Sequence, residues 1–342
     1  HSSMITGARG SGLGGVRTRG LGGGGTQLWD SRCPGLVGCS RESDRADGGR
    51  RGRQFVRAGQ GQALSGPGLL PYNHPDAADS RATETRSMKA ALREALANYL
   101  TALGDDELIL AHRDSGWAGH APILEEDIAF ANLALDELGH ASTWYRLAAE
   151  LLNEDPERHP DALVFARPAS EFRNVRMVEL PNGDWAFSML RQYLFDVSEQ
   201  VRLGALTASQ YPGLAQAAVK IRTEELYHLR HTRAWVRRLG LGTQQSNHKM
   251  QTALEQLYPH ALQLFAETAG ELELAQSGLV PQPDRLLASW ASQVSEDLTA
   301  SELRIPDGNL STPAGRSAHT PHLEPLVAEM QEVAHLETGV AW

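Results

Sequence analysis

The most constraining feature of this sequence is a Glu-x-x-His motif that occurs twice within helical, apolar stripes. The first copy is Glu137-Leu-Gly-His140 and the second is Glu225-Leu-Tyr-His228. Residues three apart share one face of an α-helix, so the carboxylate and the imidazole of each copy can reach a common point. Burying such polar groups without partners is unfavourable. The repeated motif therefore favours a helical bundle with polar side chains gathered in its interior.

Apolar spacing predicts four long helices, at about 88–112, 122–152, 184–210 and 214–239. Three more are predicted at about 246–268, after Pro283 and from about Pro321. Convincing strand or hairpin patterns do not occur between them. Two helical hairpins joined by one long connection are typical of ferritin-like bundles. We therefore predict an all-α fold, a ferritin-like four-helix bundle with additional C-terminal helices.

The two remaining long helices each place one acid on their apolar stripe. Glu107 lies 30 residues before Glu137, and Asp196 lies 29 residues before Glu225, so the two hairpins repeat one layout. Di-iron and di-manganese carboxylate proteins combine two such acids with two Glu-x-x-His pairs. The predicted metal ligands are Glu107, Glu137, His140, Asp196, Glu225 and His228.

An alternative interpretation is that these six residues form buried hydrogen-bonded or ion pairs left from an ancestral site. A single Glu-x-x-His is weak evidence, and Glu332-x-x-His335 is a third match without obvious partners. Asp106 and Glu224, which precede two of the six, are predicted to point to solvent or to a neighbouring helix. Cap, loop or surface positions are predicted for three further histidines: His112, His120 and His231.

The composition changes sharply near Met88. Residues 1–87 hold 19 of the 33 glycines and have a net charge of +5, whereas residues 88–342 have a net charge of −15. Segment 1–87 is predicted to be a disordered Gly/Arg-rich leader, because it has too little apolar surface to offset its ordering entropy. His1-Ser2-Ser3 is typical of a tag remnant, and the rest is typical of upstream sequence translated from an early start codon. The ferritin-like helical domain is predicted at 88–342.

The 88–342 region excludes several classes of protein. Both cysteines lie before it, so disulfides and thiol nucleophiles are ruled out there. Its acidity argues against nucleic acid as a partner, and no apolar run is long enough to span a membrane. The fourth long helix is locally basic, with Arg222, Arg230, Arg233, Arg237 and Arg238. These arginines form either a solvated face or a contact to a partner subunit or a CoA phosphate.

Several short segments are similar to one known family. They are Gly116-Trp-Ala-Gly-His-Ala-Pro122, Pro181-Asn-Gly183, Arg191-Gln-Tyr193, Tyr227-His-Leu-Arg230, Lys249-Met-Gln251, Gly315-Arg-Ser-Ala-His-Thr-Pro-His-Leu323, Ala328-Glu-Met-Gln331 and the terminal Trp342. On these segments the chain from Met88 to Trp342 resembles the PaaC component of the ring 1,2-phenylacetyl-CoA epoxidase.

The resemblance implies a cytoplasmic complex that uses molecular oxygen and reducing equivalents to epoxidise the aromatic ring of phenylacetyl-CoA. The implied partners are a ferritin-like catalytic subunit, a small subunit and a flavin/iron–sulfur reductase. The PaaC component is usually regarded as a non-catalytic scaffold without metal ligands. This sequence departs from that pattern, because its six predicted ligands match the ligand set of the catalytic subunit.

Three functions are compatible with the resemblance and with this departure, and the first is favoured. In the first, the chain pairs with and stabilises the catalytic subunit and helps to shape the CoA-binding surface, with no catalytic residue of its own. In the second, it binds two iron ions and is itself a di-iron oxygenase. The third is iron handling, as in ferritins.

Overall fold

The computed structural model describes residues 88–306 and 315–336, and this part of the chain contains ten α-helices and no strand. In chain order they are α1 (Ala90–Ser115), α2 (Leu124–Leu152), α3 (His159–Phe165), α4 (Arg176–Glu179), α5 (Trp185–Leu206), α6 (Pro212–Gly240), α7 (Gln244–Ala261), α8 (Glu271–Gln276), α9 (Pro283–Ala300) and α10 (Leu323–Leu336). The predicted all-α fold is confirmed. The predicted leader at 1–87 and the terminal Trp342 lie outside the described residues.

The four longest helices form the ferritin-like bundle. Helix α1 packs along α2, and α5 packs along α6, so each pair is a helical hairpin. The connection from α2 to α5 is long and contains α3, a 3₁₀ turn (Ala169–Glu171) and α4. Helices α7 and α9 pack against the α5–α6 hairpin, and α10 packs against α3 and the 3₁₀ turn. Within the described helices, none is both long and apolar enough to cross a membrane.

The helix boundaries follow from the residues at their ends. The Asp184 carboxylate accepts a hydrogen bond of 3.1 Å from the Phe187 amide and caps the start of α5. Pro212 occupies the first turn of α6, where its missing N–H leaves no helical bond unmade. Asn153 ends α2 in the left-handed conformation, with φ of 59°. These ends fix the lengths of the hairpin helices.

Two helices end earlier than the apolar spacing predicts. The helix predicted to reach 210 ends at Leu206, because the Ser209 hydroxyl and the Gln210 amide donate to backbone carbonyls of the 278–279 segment. The helix predicted at 246–268 ends as an α-helix at Ala261 and continues as a 3₁₀ turn. Pro259 removes one helical hydrogen bond just before this change.

Helices α1 and α2 are in close contact at Gly104. A Cβ atom at this position would lie 2.5 Å from Cε1 of Tyr145. The Tyr145 hydroxyl donates a 2.7 Å hydrogen bond to Asp105 Oδ1, which holds the ring in place. Glycine therefore allows the contact that sets the spacing of the first hairpin.

Candidate metal centre

The four long helices bring all six predicted ligands into one buried region. Glu107 comes from α1, Glu137 and His140 from α2, Asp196 from α5, and Glu225 and His228 from α6. Each side chain is at most 4% exposed. The three-residue spacing of both motifs places each imidazole beside its own glutamate, as the helical period requires. The structure thus places these residues where the sequence predicts, while their role as metal ligands stays a prediction.

The six residues form two overlapping groups. The first group is Glu107, Glu137, His140 and Glu225, and the second group is Glu137, Asp196 and His228. Within each group, one potential ligand atom per residue lies within 4.8 Å of the others. Glu137 belongs to both groups, so its carboxylate would be available to a cation in either one. Such sharing of a carboxylate suits a two-metal centre.

The imidazoles present their Nδ1 atoms to the interior of the bundle. His140 Nδ1 lies 3.4 Å from Glu225 Oε1 and 3.6 Å from Glu137 Oε2. His228 Nδ1 lies 3.1 Å from Glu225 Oε1 and 3.6 Å from Glu137 Oε1. The ring centroids are 6.0 Å apart. The Nδ1 atoms of both imidazoles therefore lie close to the same two carboxylates.

The first group contains buried ligand atoms without a hydrogen-bond partner in the described part of the chain. They are both carboxylate oxygens of Glu107, Oε2 of Glu137, Nδ1 of His140 and Oε2 of Glu225. Buried polar atoms are normally paired, so this cluster requires an explanation. A cation would be a shared partner for all of these atoms, and oxygen and imidazole ligands suit iron or manganese. The residues of the first group therefore fit a metal ion.

The ligand atoms of the second group have more hydrogen-bond partners within the protein than those of the first group. Gln192 Nε2 donates to Glu137 Oε1 at 2.9 Å and to Asp196 Oδ1 at 2.8 Å. The Thr232 hydroxyl donates to Asp196 Oδ2 at 2.6 Å. A metal ion at the second group would have to displace or share these hydrogen bonds. The two groups are therefore chemically unequal.

Burial and the charges of neighbouring groups together shift the pKa values of the centre. It raises the pKa of Glu107 well above the usual value, and the charge of Glu137 raises it further. Burial and then the charge of Glu225 likewise raise the pKa of Asp196. Burial opposes protonation of His228, but Glu225 and the other surrounding carboxylates outweigh it and raise the pKa of this imidazole. The raised pKa values of Glu107, Asp196 and His228 favour their protonated forms, and a cation would displace those protons.

Two acids outside the predicted ligand set hold the outer nitrogens of the imidazoles. His140 Nε2 lies 2.8 Å from Glu224 Oε2, across the α2–α6 boundary. His228 Nε2 lies 3.3 Å from Asp136 Oδ2, across the same boundary in the opposite direction. Such contacts fix the ring orientation and the tautomer that leaves Nδ1 for a metal. Glu224 thus reaches a neighbouring helix, one of its two predicted positions.

The sequence contains a signal for these two acids, because each motif reads acid-Glu-x-x-His. Asp136 precedes Glu137 directly, just as Glu224 precedes Glu225. A residue one position before a core glutamate lies about 100° around the helix, toward the neighbouring helix or solvent. A third link between α2 and α6 joins His231 Nε2 to Glu126 Oε2 at 2.9 Å.

Aromatic side chains surround Trp185 at the start of α5. Its ring centroid lies 5.0 Å from that of Trp117, 4.9 Å from Phe130 and 5.7 Å from Trp235. Phe130 lies on α2 two turns before Glu137, on the same face. We therefore expect the aromatic cluster to exclude water from this end of the centre.

Comparisons with known proteins assign a family to this chain. The family model described as "Phenylacetic acid catabolic protein" matches residues 73–342. The chain is also similar to the C subunit of 1,2-phenylacetyl-CoA epoxidase from Escherichia coli (strain K12), with 38% identity over 248 residues. That match covers 72% of this chain and 99% of the relative. The chain therefore belongs to the phenylacetic acid catabolic protein family.

Proposed function

We propose that this chain belongs to a phenylacetyl-CoA ring-epoxidising oxygenase of phenylacetate degradation, in which it pairs with and stabilises the ferritin-like catalytic subunit. The name of the E. coli relative supports the assignment to such a complex. A small subunit and a flavin/iron–sulfur reductase would complete the assembly, which we place in the cytoplasm. The observation that carries the pairing role is the apolar outer face of α2 and α6.

Large apolar side chains are exposed on the outside of these two helices. On α2, Leu124, Ile128 and Leu135 are 69%, 56% and 65% exposed, and their spacing of four and seven residues places them in one stripe. On α6, Val219 and Tyr227 are 56% and 78% exposed and lie eight residues apart, again on one side. Exposed apolar patches of this kind are typical of protein–protein contacts. We name this surface, defined by these five residues, the α2–α6 outer face.

A groove beside this face on α6 combines apolar and cationic side chains. It is lined by Leu226, Tyr227, Arg230, Arg233 and Arg237, with Leu229 and Ala234. Arg233 Nε is paired with Asp297 Oδ2 at 2.8 Å, so it serves the α6–α9 contact. Tyrosine and arginine are enriched in protein interfaces, and arginine also binds phosphate groups. The groove supports a contact to the partner subunit or to the CoA of its substrate.

Co-purification of the full chain with the catalytic subunit tests the pairing role. Leu135→Asp and Tyr227→Asp each place a charge within the α2–α6 outer face, and we expect either one to weaken pairing by about 2 kcal/mol or more. Leu272→Asp is a matched control, because Leu272 is 45% exposed on α8. Undiminished co-purification of both variants would remove the outer face as the docking surface. Failure of the wild-type chain to pair would remove the function itself.

A second candidate function is that the chain is itself a di-iron oxygenase. The convergence of the six residues and the unpaired atoms of the first group favour it. Glu107, Glu137, His140 and Glu225 would hold one iron, and Glu137, Asp196 and His228 the other. When bound, the two irons would supply oxygen activation. The chain itself would hold the imidazoles in place through Asp136 and Glu224 and exclude water at the aromatic end.

Metal analysis and turnover distinguish the two functions. Iron or manganese bound by the isolated chain would support a metal centre, and a metal-free chain would leave only the pairing role. Turnover of the complete complex should then be measured with His140→Ala and His228→Ala in this chain and the catalytic subunit unchanged. Loss of turnover with pairing intact would support the enzymatic role. Unchanged turnover would remove it.

A further inference from the structure

The Gly315–Leu323 motif is distant in sequence from the predicted ligands, but one of its side chains reaches α1 beside Glu107. Arg316 Nη1 donates a 2.9 Å hydrogen bond to Asp106 Oδ2. Arg316 is 6% exposed and Asp106 is 1% exposed, so the ion pair is shielded from water. Asp106 directly precedes Glu107 in the chain. The motif is therefore connected to the first group through one helical residue.

Both members of this ion pair are held by further contacts. Arg316 Nε donates to the Ala266 carbonyl at 2.9 Å, and its Nη1 also donates to the Arg173 carbonyl at 3.0 Å. Asp106 Oδ1 accepts a 2.7 Å hydrogen bond from the Val175 amide. Arg316 thus joins α1 to the α2–α5 connection and to the segment after α7. Contacts other than the one with Asp106 therefore also hold the Arg316 guanidinium in place.

The orientation of Glu107 depends on the helix that carries it. Its two carboxylate oxygens have no hydrogen-bond partner in the described part of the chain, and the nearest imidazole nitrogen, His140 Nδ1, is 3.9 Å from Oε2. Successive residues of an α-helix point about 100° apart. Holding Asp106 in one direction therefore fixes the direction in which Glu107 points. Without Arg316, the buried Asp106 carboxylate would lose its ion-pair partner and keep only the Val175 amide, which would destabilise this turn of α1.

We propose that Arg316 is a positioning residue that keeps Glu107 aimed at Glu137, His140 and Glu225 for metal binding. This inference rests on the proposed metal centre. Glu107 belongs to the first group and is absent from the second. Loss of Arg316 should therefore weaken metal binding at the first group and leave the second unchanged. A general loss of stability would affect both groups.

His319 provides a matched control within the same motif. His319 Nδ1 lies 2.7 Å from Glu179 Oε1, and the Thr320 amide donates to Glu179 Oε2 at 2.6 Å. These contacts anchor the motif to α4 instead of to Asp106. His319→Ala should therefore loosen the C-terminal segment without turning Glu107.

The experiment is an anaerobic titration of the full chain with Co²⁺, followed by its visible absorption. His228→Ala keeps all four residues of the first group, and His140→Ala keeps all three residues of the second. Adding Arg316→Ala to His228→Ala should weaken Co²⁺ binding by about tenfold or more. Adding Arg316→Ala to His140→Ala should leave the Co²⁺ affinity unchanged. Adding His319→Ala should leave the Co²⁺ affinity unchanged in either background. Arg316→Lys should restore part of the loss.

Equal weakening in both backgrounds, or none in the His228→Ala background, would overturn the proposal. If Arg316→Ala does not fold, the Arg316→Ala/Asp106→Asn double variant removes both charges and is titrated in its place. A wild-type chain that binds no Co²⁺ would refute the metal centre, which is a separate failure. Amide hydrogen exchange at residues 106–108 then decides the positioning role. Exchange at these amides must be faster than in the wild type for Arg316→Ala and not for His319→Ala. Equal exchange rates in the two variants would overturn the positioning role.

Discussion

Replacement of Glu107 by glutamine should separate the stability of the metal-free chain from its affinity for metal. A potential ligand atom of Glu107 lies within 4.8 Å of one on Glu137. At an effective dielectric constant of about 20, two negative charges at this distance repel each other by about 3–4 kcal/mol. Burial and this repulsion raise the pKa of Glu107 and so favour the protonated form of its carboxyl group. Glutamine has nearly the same shape and the same charge as that protonated acid.

The free energy of unfolding of the metal-free Glu107→Gln chain should therefore be within about 1 kcal/mol of the wild-type value. The affinity for metal should fall, because the glutamine amide cannot supply the negative charge of the carboxylate. A cation at about 100 times its Kd stabilises a protein by about 2.7 kcal/mol, and a hundredfold loss of affinity reduces this to about 0.4 kcal/mol. For a domain of this size, the larger figure raises the Tm by about 5–10 °C.

Thermal unfolding with and without Mn²⁺ or Co²⁺ measures both quantities on one sample. Glu332→Gln is the matched control, since Glu332 belongs to the third Glu-x-x-His match and is exposed on α10. Its metal-dependent rise in Tm should equal that of the wild type. The reasoning is refuted if Glu107→Gln keeps the full rise. It is also refuted if the metal-free variant loses several kcal/mol.

Three further predictions test the centre and its framework. Glu224→Ala should weaken metal binding by about 10–100-fold, because His140 Nε2 would lose its hydrogen-bond partner. A Co²⁺ titration that gives the wild-type affinity would contradict this. Carboxylates raise the pKa of the His140 and His228 imidazoles against the effect of burial, so these groups lose protons when metal binds. Affinity should then fall from about pH 8 to about pH 6, with proton release measurable by calorimetry in two buffers, and a pH-independent affinity would rule this out. Gly104→Ala should destabilise the chain by about 1–2 kcal/mol in urea unfolding, because the added Cβ would collide with the Tyr145 ring. This cost should exceed the gain from the higher helix propensity of alanine. Unchanged stability would show that the Tyr145 ring can move.

The helices and the convergence of the six residues could be predicted because both depend on periodicity along single helices. A stripe that contains Phe130, Glu137 and His140 must face the bundle interior, whichever neighbours it meets. The roles of Asp136 and Glu224 depend instead on the register between α2 and α6. Sequence spacing within one helix contains no information on that register.

The three consecutive acids of α1 show the same limit more clearly. Asp105, Asp106 and Glu107 are all buried, although an apolar stripe accounts for only one of them. Asp105 accepts hydrogen bonds from Arg167 Nη2 at 2.6 Å, 62 residues away, and Asp106 is paired with Arg316, 210 residues away. Partners at such separations follow from the tertiary fold. The prediction that Asp106 points to solvent or to a neighbouring helix is therefore wrong, because its partners are Arg316 and the Val175 amide.

The proposed pairing role and the proposed metal centre would use opposite sides of the same two helices. Asp136 and Glu224 are 48% and 41% exposed, and each contacts an imidazole of the interior. A partner seated on the α2–α6 outer face would cover these two carboxylates and strengthen their hydrogen bonds to the imidazoles, since removing water lowers the local dielectric constant. Partner binding should therefore increase metal affinity, and metal should increase partner affinity by the same factor. The unpaired atoms of the first group favour this coupled function over a purely structural one, because a scaffold alone gains nothing from leaving Glu107 without a hydrogen bond.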